Sequence, residues 1–105
     1  MPKVDYPGLS GTGNAAGSEQ PWFVYILECN DGSFYTGITN DIERRQQQHN
    51  DGTAARYTRS RRPVMLRYQE VCESRSQALI RECSLRLLSR KEKEVLVIHG
   101  KPSRR

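Results

Sequence analysis

The sequence predicts an α+β domain in which a small β-sheet is covered by helices, with the element order β-β-α-β-α-α. Three observations support this fold class. An aromatic and β-branched run at 22–27 precedes a tight-turn sequence and a second strand-like run at 33–38. A further strand-like run at 64–71 follows Pro63. Two serine capping sequences then open segments with helical apolar spacing in the last third of the chain.

The register of the first hairpin decides where its two tyrosines point. A two-residue turn would place Tyr25 and Tyr35 on opposite faces of the sheet, because side chains alternate along a strand. A three-residue loop, with Gly32 in the left-handed conformation, instead pairs Tyr25 with Gly37 and Leu27 with Tyr35. We predict this second register, which puts both tyrosines on one face. Tyrosine is also a good strand former, so a shared face does not by itself indicate chemistry.

The first helix is predicted to begin near 39–41, with Asn40 as its N-cap, and to end at Gly52. It contains Arg45 and His49, which are four residues apart and therefore lie on one face. An arginine can hold phosphate oxygens in a fork, and a histidine can orient water or shuttle a proton near neutral pH. The alternative interpretation is an ordinary solvated helix face.

Residues 53–62 are predicted to form a polar, basic loop, and there is no acidic residue between positions 53 and 67. A dense positive stretch favours binding to a phosphate backbone, and a tyrosine within it can stack on a base or sugar. A solvated loop is the competing interpretation. The residues predicted to bind nucleic acid are Arg56, Tyr57, Arg59, Arg61 and Arg62.

The last two helices are predicted from the capping sequences Ser74-x-x-Gln77 and Ser89-x-x-Glu92, with Gly100 as the expected stop of the second helix. The apolar positions of these helices are Leu79, Ile80, Cys83, Leu87, Leu88, Val95, Leu96 and Ile98.

Glu82 lies between Leu79 and Cys83, at the border of the apolar stripe expected for its helix. A carboxylate in that position would be partly desolvated, which is unfavourable without a partner. A divalent cation is one such partner, since Mg²⁺ is commonly held by one or two carboxylates together with phosphate oxygens. The alternative is a surface glutamate paired with Arg86 one turn later, worth about 0.3 kcal/mol.

The composition limits the remaining possibilities. Lysine and arginine number 17 against 12 for aspartate and glutamate, a net charge of +5 that favours polyanionic partners. Residues 1–20 are predicted to be a disordered arm and residues 101–105 a basic tail, which leaves 21–100 as the domain. The three cysteines have no C-x-x-C spacing, so neither a disulfide framework nor a zinc site is indicated. Without a secretory signal or an apolar run of about 20 residues, we expect a cytoplasmic protein that makes no membrane contact.

Several motifs together resemble those of a known family. Val24-Tyr25-Ile26 and Tyr35-Thr36-Gly37 are similar to the two tripeptides that name the GIY-YIG nuclease superfamily. The other matching features, in the family's order, are Asp41-x-x-x-Arg45-x-x-x-His49-Asn50, Tyr57-Thr58-Arg59, Arg62-Pro63 and Ala78-Leu79-x-x-Glu82. The resemblance spans residues 21–99 and is closest to the small stand-alone YhbQ-like branch. Val24 and Thr36 depart from the strict tripeptides, and Glu94 stands where some relatives have asparagine.

The resemblance implies a three-stranded antiparallel sheet flanked by helices, with one active site. The positions of this sequence that match the family's site are Tyr25, Tyr35, Gly37, Arg45, His49 and Glu82. By resemblance, the two tyrosines would position or deprotonate the attacking water, Arg45 would stabilise the phosphate, and His49 would assist proton transfer. Glu82 would hold a single Mg²⁺ or Mn²⁺, and Gly37 would be required for close packing.

The function expected from the resemblance is metal-dependent hydrolysis of DNA with little intrinsic sequence preference. The DNA is expected to be single-stranded or structured, and a protein partner is expected to supply targeting, because no second DNA-recognising domain is evident in the sequence. The alternative function is a non-catalytic nucleic-acid-binding module that acts with a partner.

Overall fold

The computed structural model describes residues 21–99. In this part of the chain the elements are β1 (Trp22–Glu28), β2 (Phe34–Thr39), α1 (Ile42–Asp51), α2 (Arg56–Arg59), β3 (Met65–Cys72), α3 (Arg75–Arg86) and α4 (Arg90–His99). The predicted α+β order is confirmed with one addition, because the segment expected to be a loop contains the single-turn helix α2. The predicted arm at 1–20, the stop at Gly100 and the tail at 101–105 lie outside the described residues.

The three strands form one antiparallel sheet in the order β2-β1-β3. Tyr25 pairs with Gly37 and Leu27 pairs with Tyr35. Gly32 has a φ of 86°, the left-handed conformation that the three-residue loop requires. The predicted register is therefore confirmed, and Tyr25 and Tyr35 lie on one face of the sheet. Because β1 is central, β2 and β3 are the edge strands.

Helices cover both faces of the sheet. On one face, the strand residues that pack against α3 are Val24, Ile26, Ile38 and Tyr68, and their helix partners are Ala78 and Leu85. On the opposite face, the packed residues are Tyr25, Leu27, Cys29, Tyr35, Ile42, Val64 and Leu66. The helices α3 and α4 thus cover the face without the two phenols, whereas α1 and α2 lie on the face with them.

The N-cap of the first helix lies one residue after its predicted position. The N-cap is Asp41, whose Oδ1 accepts a hydrogen bond from the backbone N of Arg44 at 3.1 Å, so the prediction of Asn40 was wrong. The backbone of Asp41 is extended, as is usual for an N-cap residue. The predicted end at Gly52 is confirmed by its left-handed φ of 84°.

Both predicted capping sequences form their hydrogen bonds. The Oγ of Ser74 accepts from the backbone N of Gln77 at 3.1 Å. At α4 the bonding is reciprocal: Ser89 Oγ accepts from the backbone N of Glu92 at 3.1 Å, and the Glu92 carboxylate accepts from the backbone N of Ser89 at 2.8 Å. These local bonds explain why the sequence located the starts of the last two helices correctly.

The buried face of α3 is not the one predicted from Leu79, Ile80 and Cys83. The exposed apolar side chains on α3, in the turn that follows it and on α4 are Leu79, Ile80, Cys83, Leu87, Val95 and Ile98. The residues buried against the sheet are instead Ala78 and Leu85, which are seven positions apart. Glu82, four residues after Ala78 and three before Leu85, lies between them on the same helical face. It is therefore within the sheet-facing side and not at its border.

A polar network ties α3 to the edge strand β3. Arg81 donates two hydrogen bonds of 2.8 Å to the Glu70 carboxylate, and the Tyr68 hydroxyl donates to the same carboxylate. These bonds, chiefly those from Arg81, hold the pKa of Glu70 below its ordinary value. Burial, together with Glu70, raises the pKa of Tyr68 to about 12. Through its bond with Arg81, Glu70 connects strand β3 to helix α3.

Glu70→Gln is expected to lower the free energy of unfolding at pH 7 by about 1–2 kcal/mol, the range for hydrogen bonds to a charged group that is partly exposed. Because the folded pKa lies below the unfolded value of 4.5, the native carboxylate stabilises the fold above that pH. The contribution is lost as the pH falls through the folded pKa. Chemical denaturation from neutral to acidic pH measures the difference, with the exposed Glu73→Gln as control. A difference that is independent of pH would contradict the assignment.

Candidate active site

The phenol of Tyr25 crosses over Gly37 on the neighbouring edge strand. A Cβ atom at position 37 would lie 2.5 Å from the Tyr25 Oη and 2.7 Å from its Cζ, which is too close for any side chain. The φ of Gly37 is not positive, so glycine is needed here for space and not for backbone conformation. Tyr25 is only 2% exposed, and its hydroxyl is directed across β2.

His49 lies fully buried behind the two tyrosines. Its Nε2 is 2.9 Å from the Tyr25 Oη, and its Nδ1 is 2.7 Å from the Thr58 Oγ1. The imidazole ring meets the Tyr35 ring edge-on at a centroid distance of 5.1 Å and the Tyr25 ring at 5.9 Å. Residues from β1, β2, α1 and α2 therefore meet around one imidazole.

The burial of His49 changes the role that the sequence suggested. Burial first, and the nearby charge of Arg45 second, lower the pKa of His49 to about 4. The ring is therefore neutral at pH 7 and has one N–H and one free lone pair. It has no exposed surface from which to orient water or exchange a proton with solvent. Any proton that it receives must come through a neighbouring side chain.

Arg45 lies one turn before His49 on α1, on the same face of the helix. Its Nη1 donates to the Gln48 Oε1 at 2.8 Å. Arg45 also lines a small cavity together with Tyr25 and Leu66. The guanidinium thus adds positive charge beside the hydrogen-bonded rings of Tyr25 and His49.

The hairpin loop and the basic segment are joined by a stack of side chains. The Tyr35 and Tyr57 rings stack at a centroid distance of 5.9 Å, and the Arg61 guanidinium lies 3.9 Å from the Tyr57 centroid. Arg61 also donates to the Asp31 carboxylate at 3.0 Å and to the Tyr57 carbonyl at 2.8 Å. Tyr57 and Arg61, predicted to bind nucleic acid, are therefore engaged within the protein. A base stacking on Tyr57 would compete with Arg61.

The other predicted contacts in the basic segment fall into two groups. Arg62 donates to the carbonyls of Asn50, at 3.3 Å, and Arg59, at 2.8 Å, and so fastens the segment to α1. The side chain of Asn50, a motif residue to which the sequence assigned no role, makes two hydrogen bonds of 2.7 and 3.1 Å to the Val64 backbone. Within residues 21–99, Arg56 and Arg59 are exposed, and their guanidinium groups form no hydrogen bond or ion pair with another side chain. These two are the arginines of the segment best placed for phosphate.

Glu82 approaches the sheet from the other face. Its side chain is 17% exposed, and burial raises the pKa of its carboxyl. The only ion pair of this carboxylate within the described part of the chain is with Arg86 Nη1 at 3.7 Å, and Arg86 is itself 63% exposed. The structure therefore does not bring Glu82 into contact with the phenols. Because α3 packs across β1 and β2, Glu82 faces the strands that hold the phenols from the opposite side.

The oxygen atoms on that face are compatible with a hard cation. Within residues 21–99 there is no group of three or more His, Cys, Asp or Glu side chains that would hold a metal by itself. Glu82 is a desolvated carboxylate, and the Thr36 Oγ1 on the same face of the sheet is buried without a hydrogen-bond partner. A single carboxylate with substrate phosphate oxygens suits Mg²⁺ or Mn²⁺ and does not suit zinc, which requires several protein ligands.

The α+β fold, with two tyrosines on one face of the sheet and Gly37 beside Tyr25, defines a class of nuclease domains. This class is named after two tripeptide motifs like those in β1 and β2. Residues 21–94 match the GIY-YIG catalytic domain, and the chain belongs to the GIY-YIG family. The resemblance of the motifs is therefore confirmed at the level of the family. None of the helices in the part of the chain described by the structure is long and apolar enough to cross a bilayer.

The chain is similar to small proteins of several microbes. It is 56% identical over 77 residues to a UPF0213 protein of Desulfotalea psychrophila, a match covering 72% of this chain and 70% of the relative. It is 51% identical over 73 residues to a UPF0213 protein of Halobacterium salinarum, covering 70% and 95%. The solution NMR structure of a protein from E. faecalis matches with a TM-score of 0.51 at 39% identity, covering 79% and 91%. These relatives support the small stand-alone branch and the fold.

Proposed function

We propose that this chain is a metal-dependent endonuclease that hydrolyses DNA phosphodiester bonds with little sequence preference of its own. Besides membership of the family, one observation supports the proposal: the Tyr25 hydroxyl is hydrogen-bonded to the Nε2 of a neutral, buried imidazole. A phenol that can pass its proton to a base behind it can accept a proton from water in front of it.

In the proposed reaction, the water oxygen forms a bond to phosphorus while its proton moves to the Tyr25 oxygen. The phenol proton moves to Nε2 of His49, and the bond from phosphorus to the leaving sugar oxygen breaks. That oxygen takes its proton from solvent, and His49 returns its proton through Tyr25. Tyr35 is the more exposed of the two phenols, and we assign to it the positioning of the attacking water.

Arg45 serves two purposes in this proposal. It stabilises the negative charge that develops on the phosphate, an effect typically worth a factor of about 100–1,000 in rate for one such group. Arg45 also links substrate binding to the basicity of His49, since its charge is one cause of the low pKa of that imidazole. A bound phosphate would offset that charge and raise the basicity of His49 when it is needed.

Glu82 is the residue proposed to hold a single Mg²⁺ or Mn²⁺. When bound, the cation polarises the phosphate and stabilises the leaving oxygen. The location of Glu82 on the opposite face is compatible with this role because β2 is an edge strand. A phosphate at that edge can be approached by groups from both faces of the sheet.

The proposed contacts to DNA are made mainly with the phosphate backbone. Arg56 and Arg59 supply exposed charge beside the site, and backbone contacts position DNA without reading its sequence. Single-stranded or structured DNA is the proposed substrate, and a protein partner is proposed to supply targeting. We propose the cytoplasm as the location, supported by the free state of Cys29, Cys72 and Cys83.

The second candidate function is a nucleic-acid-binding module without catalysis. The exposed arginines of α2 favour it, because they would bind phosphate whether or not the tyrosine and histidine pair is active. The two functions differ in one measurable property, which is cleavage of the DNA that is bound.

Tyr25→Phe is expected to reduce metal-dependent DNA cleavage by about 100-fold or more and to leave DNA binding unchanged, because it removes only the proton-transferring oxygen. The assay uses single-stranded, duplex and branched DNA with Mg²⁺, with Mn²⁺ and with chelator. Tyr68→Phe is the matched control, since it removes a buried hydroxyl on the other face of the sheet. Binding by the wild-type protein without cleavage of any substrate would favour the second function.

A further inference from the structure

The second hydrogen bond of His49 determines which of its nitrogens carries the single proton. A neutral imidazole has one N–H donor and one acceptor, so the two ring nitrogens must take opposite roles. Nε2 faces the Tyr25 hydroxyl at 2.9 Å, and Nδ1 faces the Thr58 hydroxyl at 2.7 Å. His49 and Thr58 are both 0% exposed, so water does not compete for either bond. The partner at Nδ1 therefore fixes the role of Nε2.

The hydroxyl of Thr58 has a second partner that favours one polarity. Its Oγ1 lies 3.2 Å from the carbonyl oxygen of Ala55, one turn earlier in the same segment. A hydroxyl has one hydrogen, and a carbonyl oxygen can only accept, so a proton given to Ala55 leaves the Thr58 oxygen as an acceptor. The Nδ1 of His49 then donates to Thr58, and the Nε2 lone pair is free to accept from Tyr25.

We propose that Thr58 is a positioning residue for the hydrolysis: its hydroxyl accepts the Nδ1–H of His49 and thereby leaves Nε2 able to take the Tyr25 proton. This inference rests on the proposed function, but the proton position that it specifies is measurable without catalysis. The chain of donors runs from Tyr25 through His49 and Thr58 to the Ala55 carbonyl. In the reverse polarity, Nε2 would already carry a proton and His49 would be unable to act as a base toward Tyr25.

Thr58 is held against His49 because the segment that follows its single-turn helix is hydrogen-bonded to the rest of the domain. Thr58 belongs to α2, and the residues that follow this helix bond to the rest of the domain: Arg61 donates to Asp31, and Arg62 and the Val64 backbone donate to Asn50. These bonds keep Thr58 against His49 and exclude water from Nδ1. The same turn presents Arg56 and Arg59 to solvent, so one element supplies both phosphate contacts and the acceptor behind the imidazole.

The first test is ¹⁵N NMR of the imidazole nitrogens at neutral pH. In the wild-type protein, His49 is expected to be protonated at Nδ1 and unprotonated at Nε2. Thr58→Val removes the acceptor and is expected to move the proton to Nε2, where Tyr25 can accept it, whereas Thr58→Ser is expected to retain the wild-type pattern. The exposed His99, the only other histidine, serves as the reference in the same spectrum.

A matched control is Thr53→Val, which removes a hydroxyl that bonds to the Gln48 carbonyl at 3.2 Å and does not touch His49. This variant is expected to leave the His49 signals unchanged. A wild-type His49 protonated at Nε2 would overturn the inference, whether or not the protein cleaves DNA. Protonation at Nδ1 in a wild-type protein that binds DNA without cleaving it would support the hydrogen-bond polarity and reject the proposed function.

The second test is kinetic. Thr58→Val is expected to reduce the cleavage rate by about 10–100-fold, as removal of the hydrogen-bond partner that orients a metal-bound imidazole does, with little change in DNA affinity. Thr58→Ser is expected to restore most of the rate. A Thr58→Val protein that cleaves as fast as the wild type would overturn the positioning role. If Thr58→Val does not fold, the proton position in the wild type and in Thr58→Ser still decides the inference.

Discussion

Gly37→Ala is expected to lower the free energy of unfolding by about 2 kcal/mol and the cleavage rate by about 100-fold. The new methyl group would lie 2.5 Å from the Tyr25 hydroxyl oxygen and 2.7 Å from the adjacent ring carbon. Since the strand backbone is fixed by pairing on β1, the phenol must move, and it then loses its 2.9 Å hydrogen bond to His49. Thermal denaturation and the cleavage assay measure the two effects.

Introducing Gly37→Ala into a Tyr25→Ala protein separates this steric mechanism from a general destabilisation of strand β2. In a Tyr25→Ala protein, the phenol is absent and the methyl group at position 37 has space. Gly37→Ala is therefore expected to be much less destabilising there than in the wild type, a non-additivity of about 1 kcal/mol or more. Equal destabilisation in both backgrounds would show that Tyr25 is not the group that requires glycine.

Glu82→Gln is expected to have opposite effects on stability and on activity. The cleavage rate should fall by about 100–1,000-fold, because the variant removes the proposed metal-holding charge. The melting temperature should rise at neutral pH, because burial raises the pKa of this carboxyl and the charged form is therefore disfavoured in the fold. The ion pair with the exposed Arg86, worth about 0.3–0.5 kcal/mol, opposes this gain, but burial outweighs it and the pKa of Glu82 is still raised.

The pH dependence of that stability difference has a definite sign. With a folded pKa above the unfolded value of 4.5, the native state binds more protons in the interval between the two values. The wild type therefore loses stability as the pH rises through this interval, and Glu82→Gln does not. Below pH 4.5 the two proteins should converge. Glu73→Gln, on the surface before α3, is the control, and a lower melting temperature for Glu82→Gln at neutral pH would contradict the account.

Much of the fold follows from local signals in the sequence. The hairpin register was predictable because Gly32 accepts the left-handed conformation and because strand side chains alternate with a period of two. The starts of α3 and α4 were predictable because Ser74 and Ser89 form bonds within their own first turns. For α1 only the N-cap was predicted wrongly, because Asp41 and Asn40 are adjacent and have similar capping ability.

The buried face of α3 was not predictable from hydrophobicity alone. Leu79 and Ile80 are exposed, whereas the sheet packs against Ala78 and Leu85. A small residue such as Ala78 permits a close approach of helix to sheet, and this depends on the shape of the partner surface, which the helix sequence does not specify. The choice of this face also places Glu82 toward the sheet, where burial changes its pKa.

The sequence by itself determined the α+β fold class, the register that puts two phenols on one face, and the residues that match the family's motifs. Only the tertiary structure decided the state of His49, because its pKa depends on burial by elements far away in the chain. The hydrogen bond between His49 and Thr58 likewise joins α1 to α2 in a contact that no spacing rule indicates. Residue types are local information, whereas desolvation and hydrogen-bond polarity arise only when separate elements pack together.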